Sequence, residues 1–178
     1  MNPPGKLPKP VANLLDKKTY SRLNVMVVED ASHMASLVCG ILKSLGFGRI
    51  FEARNGTDAL DIMNSQAIDL VLIDDLAPPM DGLSVVKELR KSKSNSARRI
   101  PVILLTSILN KSAIVDARDA GVTEILSKPF SAAQMIARIE SVLSRPRELI
   151  ETEHFAGPDR RRREKEAPEH RRQSDQKA

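Results

Sequence analysis

"LVLIDDLAPPMDG", Leu70 to Gly82, runs from an unbroken apolar tract straight into two adjacent aspartates, a proline pair and an Asp-Gly turn. Apolar residues without polar alternation are the pattern of a strand buried on both faces, as in a parallel sheet. Charge is costly to bury unpaired, so a strand that stops on Asp74 and Asp75 places carboxylates at the rim of a core. The same texture recurs outward in both directions. "NVMVV" (24–28) stops on Glu29 and Asp30, "PVILL" (101–105) on Thr106 and Ser107, and "TEIL" (123–126) leads into Ser127, Lys128 and Pro129. "RIFEA" (49–53) ends instead in an Asn-Gly turn.

Helical spacing fills the intervals. Met34, Leu37, Val38, Ile41, Leu42 and Leu45 recur as one helix face that stops at Gly46. Residues 57–66, 83–91, 111–120 and 132–143 supply four more helices. Five strands alternating with five helices predict an α/β fold, a five-stranded parallel sheet doubly wound in the flavodoxin-like manner. Ligands of such sheets bind outside the carboxyl ends of the strands. The acids, the hydroxyls and the lysine all stand there.

Composition bounds the rest. The 178 residues allow one domain with tails, and 41% hydrophobic with 29% charged residues is ordinary for a soluble chain. A single cysteine, Cys39, excludes an internal disulfide and fits a reducing compartment. No apolar run approaches the roughly 18 residues that span a bilayer. "MNPPGKLPKP" has no apolar h-region. The expected location is cytoplasmic, with no membrane association. The formal charge of +5 sits in the flanks. Residues 1–23 hold five basic side chains against one acidic, whereas residues 24–145 hold 14 of each sign. Residues 1–22 therefore read as a flexible arm, with Tyr20 at most a weak dock, 23–145 as the domain, and 146–178 as a polar, Arg-rich, disordered tail.

Acids gathered at one sheet end repel one another and need a cation. Hard oxygen donors without His or Cys suit Mg²⁺, with Mn²⁺ as a substitute, and argue against zinc. A lysine and a hydroxyl beside a metal-bound carboxylate suit a transferred phosphoryl group, whose spread charge must be neutralised.

The segments "VMVVED", "EARNGTDAL", "DLVLIDDLAPPMDG", "PVILLTS" and "ILSKPF" resemble, in order, the receiver domain of two-component response regulators, in particular the single-domain chemotaxis receivers. The resemblance covers residues 23–145. It implies an aspartate that accepts a phosphoryl group from a sensor histidine kinase or histidine phosphotransfer protein, with Mg²⁺. Counting back from "MDG" through Pro78 puts the acceptor at Asp74. Asp75, pointing to the opposite side of the strand, reads as a solvated bystander. By the same resemblance Asp30 ligates the metal, Glu29 acts through water, and Asp74 and the Leu76 backbone carbonyl complete the set. Thr106 bonds the phosphoryl group, Lys128 pairs with its oxygens, and the Lys128–Pro129 bond is expected to be cis. No enzymatic activity is implied beyond the chain's own phosphotransfer and dephosphorylation.

Departures from the pattern carry their own expectations. Ile125 stands where the family places a switch aromatic, so signalling must pass through the loop and helix around residues 107–125. Leu76 and Ile108 are apolar where a polar group would orient an attacking water, which predicts slow self-dephosphorylation. His33 reads as a first-turn polar residue, Cys39 as off the apolar stripe, and Met34, Met63 and Met135 as core. Arg160 to Arg163 read as a short docking element, by resemblance to the tails behind some stand-alone bacterial receivers, or as a solvated polyampholyte, which the eight acids alongside favour, with nucleic-acid contact as the third reading. The expected output is phosphorylation-dependent binding of an unidentified downstream protein through the fourth helix, fifth strand and fifth helix of the repeat, and a weak homodimer is compatible with it. The rival readings are a phosphorelay intermediate passing phosphoryl groups between histidine proteins, a nucleic-acid contact through the basic tails, and a haloacid-dehalogenase-type phosphohydrolase. The last wants a second acid where Leu76 stands.

Overall fold

The structure, a computed structural model, describes residues 17–75, 80–144, 149–152 and 155–158. Strands β1 (Asn24–Val28), β2 (Arg49–Ala53), β3 (Leu70–Asp74), β4 (Val102–Thr106) and β5 (Glu124–Ser127) form one parallel sheet in the order β2-β1-β3-β4-β5. The helices are α1 (Lys17–Tyr20), α2 (Ser32–Leu45), α3 (Gly56–Ser65), α4 (Gly82–Lys91), α5 (Asn95–Arg99), α6 (Lys111–Ala120) and α7 (Ala132–Ser144). The α/β class and the five parallel strands are as the sequence predicts. The chain winds outward from β1 to β2, then restarts at β3 on the other side, so the sheet has its switch point between β1 and β3.

Alternation along the buried strands splits the core into two layers. Val25, Val27, Leu70, Leu72, Ile103, Leu105 and Leu126 face α2 and α7. Met26, Val28, Val71, Ile73, Val102 and Leu104 face α3, α4 and α6. By this parity Asp74 belongs with Leu70 and Leu72, and Asp75 with Val71 and Ile73. Side-chain caps start the helices: Asn55, Asp81 and Asn110 accept from the backbone N–H groups of Asp58, Ser84 and Ala113. Gly46 and Gly121 end α2 and α6 at φ 91° and 94°, the left-handed region that favours glycine.

Four features differ from the sequence reading. Tyr20 is not a weak dock in a flexible arm; it is 1% exposed and packs on Phe47 with ring centroids 5.0 Å apart and the planes tilted by 46°. Its carbonyl accepts from the Gly48 N–H, because Gly48 lies so close that a Cβ would stand 2.0 Å from the Ser21 carbonyl oxygen. In α2 the buried residue is Cys39 rather than Leu37, which is 52% exposed. Burial first, and then Glu52, push the Cys39 thiol up to about 11. Part of the tail is ordered: β6 (Leu149–Thr152) pairs antiparallel with β7 (Phe155–Pro158), and β7 lies against α4, α5 and α6. Low overall apolarity of the tail hid its one local apolar stretch, which suffices for a hairpin supported by a helical face. Arg160 to Arg163 lie outside the described residues. Finally, α5 is an extra turn whose reason is Arg90. This guanidinium, 3% exposed, donates to the carbonyls of Gly121, Arg98 and Ile100 at 2.8–3.0 Å and ties α4, α5 and the end of α6 together.

Candidate phosphoryl-acceptor site

The site stands at the switch point, where β1 and β3 deliver their terminal acids side by side. Val28 pairs with Ile73 across the two strands, so Glu29, Asp30, Asp74 and Asp75 leave the sheet at the same level. Carboxylate oxygens of Glu29, Asp30 and Asp74 lie within 4.8 Å of one another, with Glu29 buried, Asp30 exposed and Asp74 half-buried. Hard oxygens this close fit a small divalent cation and nothing soft.

Lys128 enters from the end of β5. Its Nζ lies 2.7 Å from Asp74 Oδ1 and 3.1 Å from Glu29 Oε2. Burial alone would lower its pKa, but the hydrogen bonds to Asp74 and Glu29 outweigh burial and raise it. Burial raises the Glu29 carboxyl, against the opposing pull of the Ala31 N–H and of Lys128. The Lys128–Pro129 bond is cis.

The start of α4 closes the site from below. A Cβ on Gly82 would stand 2.2 Å from the Asp74 carbonyl oxygen, so the glycine of "MDG" lets the helix begin directly against the β3 end. Leu76, Pro78 and Pro79, expected to shape this loop and to offer a carbonyl, lie outside the described residues.

Asp75 departs from the sequence reading. It does face away from Asp74, but it is half-buried rather than solvated, and it accepts the Thr106 hydroxyl at 2.5 Å. Thr106 is 3% exposed and its oxygen accepts from the Ile108 N–H at 3.0 Å. Sequence reasoning brought Glu29, Asp30, Asp74 and Lys128 together, as the structure does, and put Thr106 with them. Here the Thr106 hydroxyl is turned to Asp75, on the side of the sheet away from Asp74. Parity could have found this, since Asp75 shares its side with the layer that contacts α4 and α6. His33 is exposed.

The comparisons agree with this geometry. The profile of the response regulator receiver domain matches residues 25–140. Chemotaxis protein CheY-3 of Vibrio cholerae is 29% identical over 123 residues, 69% of this chain and 93% of that protein. The receiver domain of a signal transduction histidine kinase from Syntrophus aciditrophicus superposes with a TM-score of 0.62 at 28% identity, covering 68% of this chain and 89% of that one. That of a sensor histidine kinase from Pseudomonas aeruginosa, with a magnesium ion coordinated in its active-site cleft, gives 0.63 at 27% identity over 69% of this chain and 98% of that one. A match across the whole sheet, joined to three acids and a lysine at its switch point, makes this chain a member of the response regulator receiver domain family, akin to the chemotaxis receivers.

Proposed function

We propose that this receiver takes a phosphoryl group on Asp74 from a histidine kinase or histidine phosphotransfer protein, in the cytoplasm, and signals by changing its affinity for a partner. One observation carries the reading: the Asp74 carboxylate shares a lysine with Glu29 and lies within metal-sharing distance of Glu29 and Asp30.

Glu29, Asp30 and Asp74 would hold Mg²⁺, with the Leu76 carbonyl added by family resemblance. The ion would neutralise charge on the transferring group. Asp74 acts as nucleophile: one carboxylate oxygen bonds to phosphorus while the phosphorus–nitrogen bond to the donor histidine breaks and its electron pair stays on the imidazole. Lys128, already bonded to Asp74, stays with the oxygens of the arriving group, so its positive charge needs no reorganisation. Beyond this self-modification no enzymatic activity is assigned. The output surface is α6, β5 and α7, where Ile108, Leu109, Ile114 and Val115 expose 41–55% of their area along α6 and the loop before it.

The test is incubation with a small acyl phosphate and Mg²⁺. Label should appear on the native protein and on Asp75→Asn, and vanish in Asp74→Asn and on chelation. Labelling that survives Asp74→Asn but not Asp75→Asn would overturn the assignment.

A further inference from the structure

Thr106 has one proton to donate, and in this structure Asp75 takes it. A hydroxyl carries a single donor hydrogen, and 2.5 Å to a carboxylate oxygen is the length of a charge-assisted bond. The alternative acceptor, the Ile108 carbonyl, is 3.4 Å away and competes poorly. The same hydroxyl oxygen anchors the Ile108 N–H at 3.0 Å. Asp75 therefore holds Thr106, and Thr106 holds the start of the loop to α6.

Beside this pair lies a cavity of about 160 Å³, lined by Asp75, Leu83, Leu104, Thr106, Ile114 and Ile125. That is close to the ~150 Å³ that accommodates a benzene-sized group. Ile108 stands at its rim, 55% exposed. The space and the apolar residue that could fill it are thus adjacent, separated by the hydrogen bonds of one threonine.

Family resemblance already gives the Thr106 hydroxyl to the phosphoryl group; we propose that in this chain Asp75 is the positioning residue of the resting state, which holds that hydroxyl back, so that its loss to Asp74 frees the loop to carry Ile108 into the cavity. The inference rests on Asp74 as the acceptor. The two adjacent aspartates then compete for one hydroxyl from opposite sides of the strand.

The experiment uses the full chain with beryllofluoride and Mg²⁺, read by titration calorimetry and by the Ile108 amide resonance. Asp75→Ala removes the competitor. Its unliganded Ile108 resonance should move toward the position found in the saturated native protein, and beryllofluoride should bind about tenfold tighter, within the usual range of coupling between two sites. Asp75→Asn keeps the shape with a neutral acceptor and should show a smaller change of the same sign. In a Thr106→Ala background, Asp75→Ala should leave the affinity unchanged. An unmoved resonance with native affinity, or an equal gain without Thr106, overturns the proposal. If Asp75→Ala does not fold, native affinity in Asp75→Asn overturns it. Should beryllofluoride fail to bind the native protein, the acceptor reading falls as well, an outcome distinct from native binding with no response to Asp75.

Discussion

Among the described residues, Arg90 and Lys128 are cations drawn into the molecule and held in opposite ways. Arg90, beneath α4, gives its hydrogen bonds to the neutral carbonyls of Gly121, Arg98 and Ile100, and burial pulls its pKa down to about 10. Lys128, at the sheet's carboxyl end, gives its bonds to the carboxylates of Asp74 and Glu29, which raise its pKa. Backbone carbonyls cannot be chemically modified and cannot leave, so the Arg90 arrangement is permanent. Carboxylates can be claimed by another cation or converted to an acyl phosphate, so the Lys128 arrangement is exchangeable. The proposed chemistry stands where the counter-charge is able to change.

The sharpest way to break this contrast is to remove each cation in turn. Arg90→Met strands several buried carbonyls, and each unsatisfied group costs roughly 1–3 kcal/mol, so a stability loss of about 3 kcal/mol is expected in denaturant unfolding. Labelling of the molecules that remain folded should be close to native. Lys128→Met should do the reverse: phosphoryl transfer falling on the order of 10²-fold, as for loss of one preorganised electrostatic partner, with a smaller stability loss because the Glu29 carboxylate left without it is able to take up a proton. If Lys128→Met unfolds the protein and Arg90→Met abolishes labelling, the contrast is wrong.

A smaller effect concerns how long the exchanged group stays. Ile108 is apolar and offers no group to orient water, whether exposed as here or seated in the adjacent cavity. The phosphorylated protein should decay over minutes or longer, and Ile108→Asn should speed this about tenfold, the worth of ~1.4 kcal/mol in the barrier. Decay of the native protein within seconds would count against it.

Tyr20 supplies the smallest and cleanest case, a buried polar atom with neither kind of partner among the described residues. Removing its hydroxyl in Tyr20→Phe should raise stability by up to ~1 kcal/mol. Burial, then Glu140, raise the tyrosine above its ordinary 10.0. The folded state therefore keeps a proton that the unfolded chain releases, and the native protein loses stability as pH rises past 10.0. Tyr20→Phe should not share that loss, which unfolding at pH 9 and above 10 would show.

Legibility followed the range of the interactions. The strands and the helix ends at Gly46 and Gly121 depend on neighbours a few residues apart, and local pattern exposes them. Nothing in the local pattern singles out Arg90, because its partners lie 8 to 31 residues away. Asp75 was assigned its correct side but the wrong surroundings; strand parity states a direction without saying what waits there. Tyr20 and the hairpin were lost to composition, since sparse apolarity in a segment conceals single residues that find a ready-made surface.

The two ordered flanks sit on different sides of the sheet: Tyr20 in the layer with α2 and α7, β7 against α4, α5 and α6. A fluorophore pair attached near residue 17 and near residue 150 would therefore read through the thickness of the domain. Such a pair would be insensitive to events within the phosphoryl site itself and responsive to any displacement of the hairpin when a partner arrives at α6, turning the flanks into a built-in ruler for output.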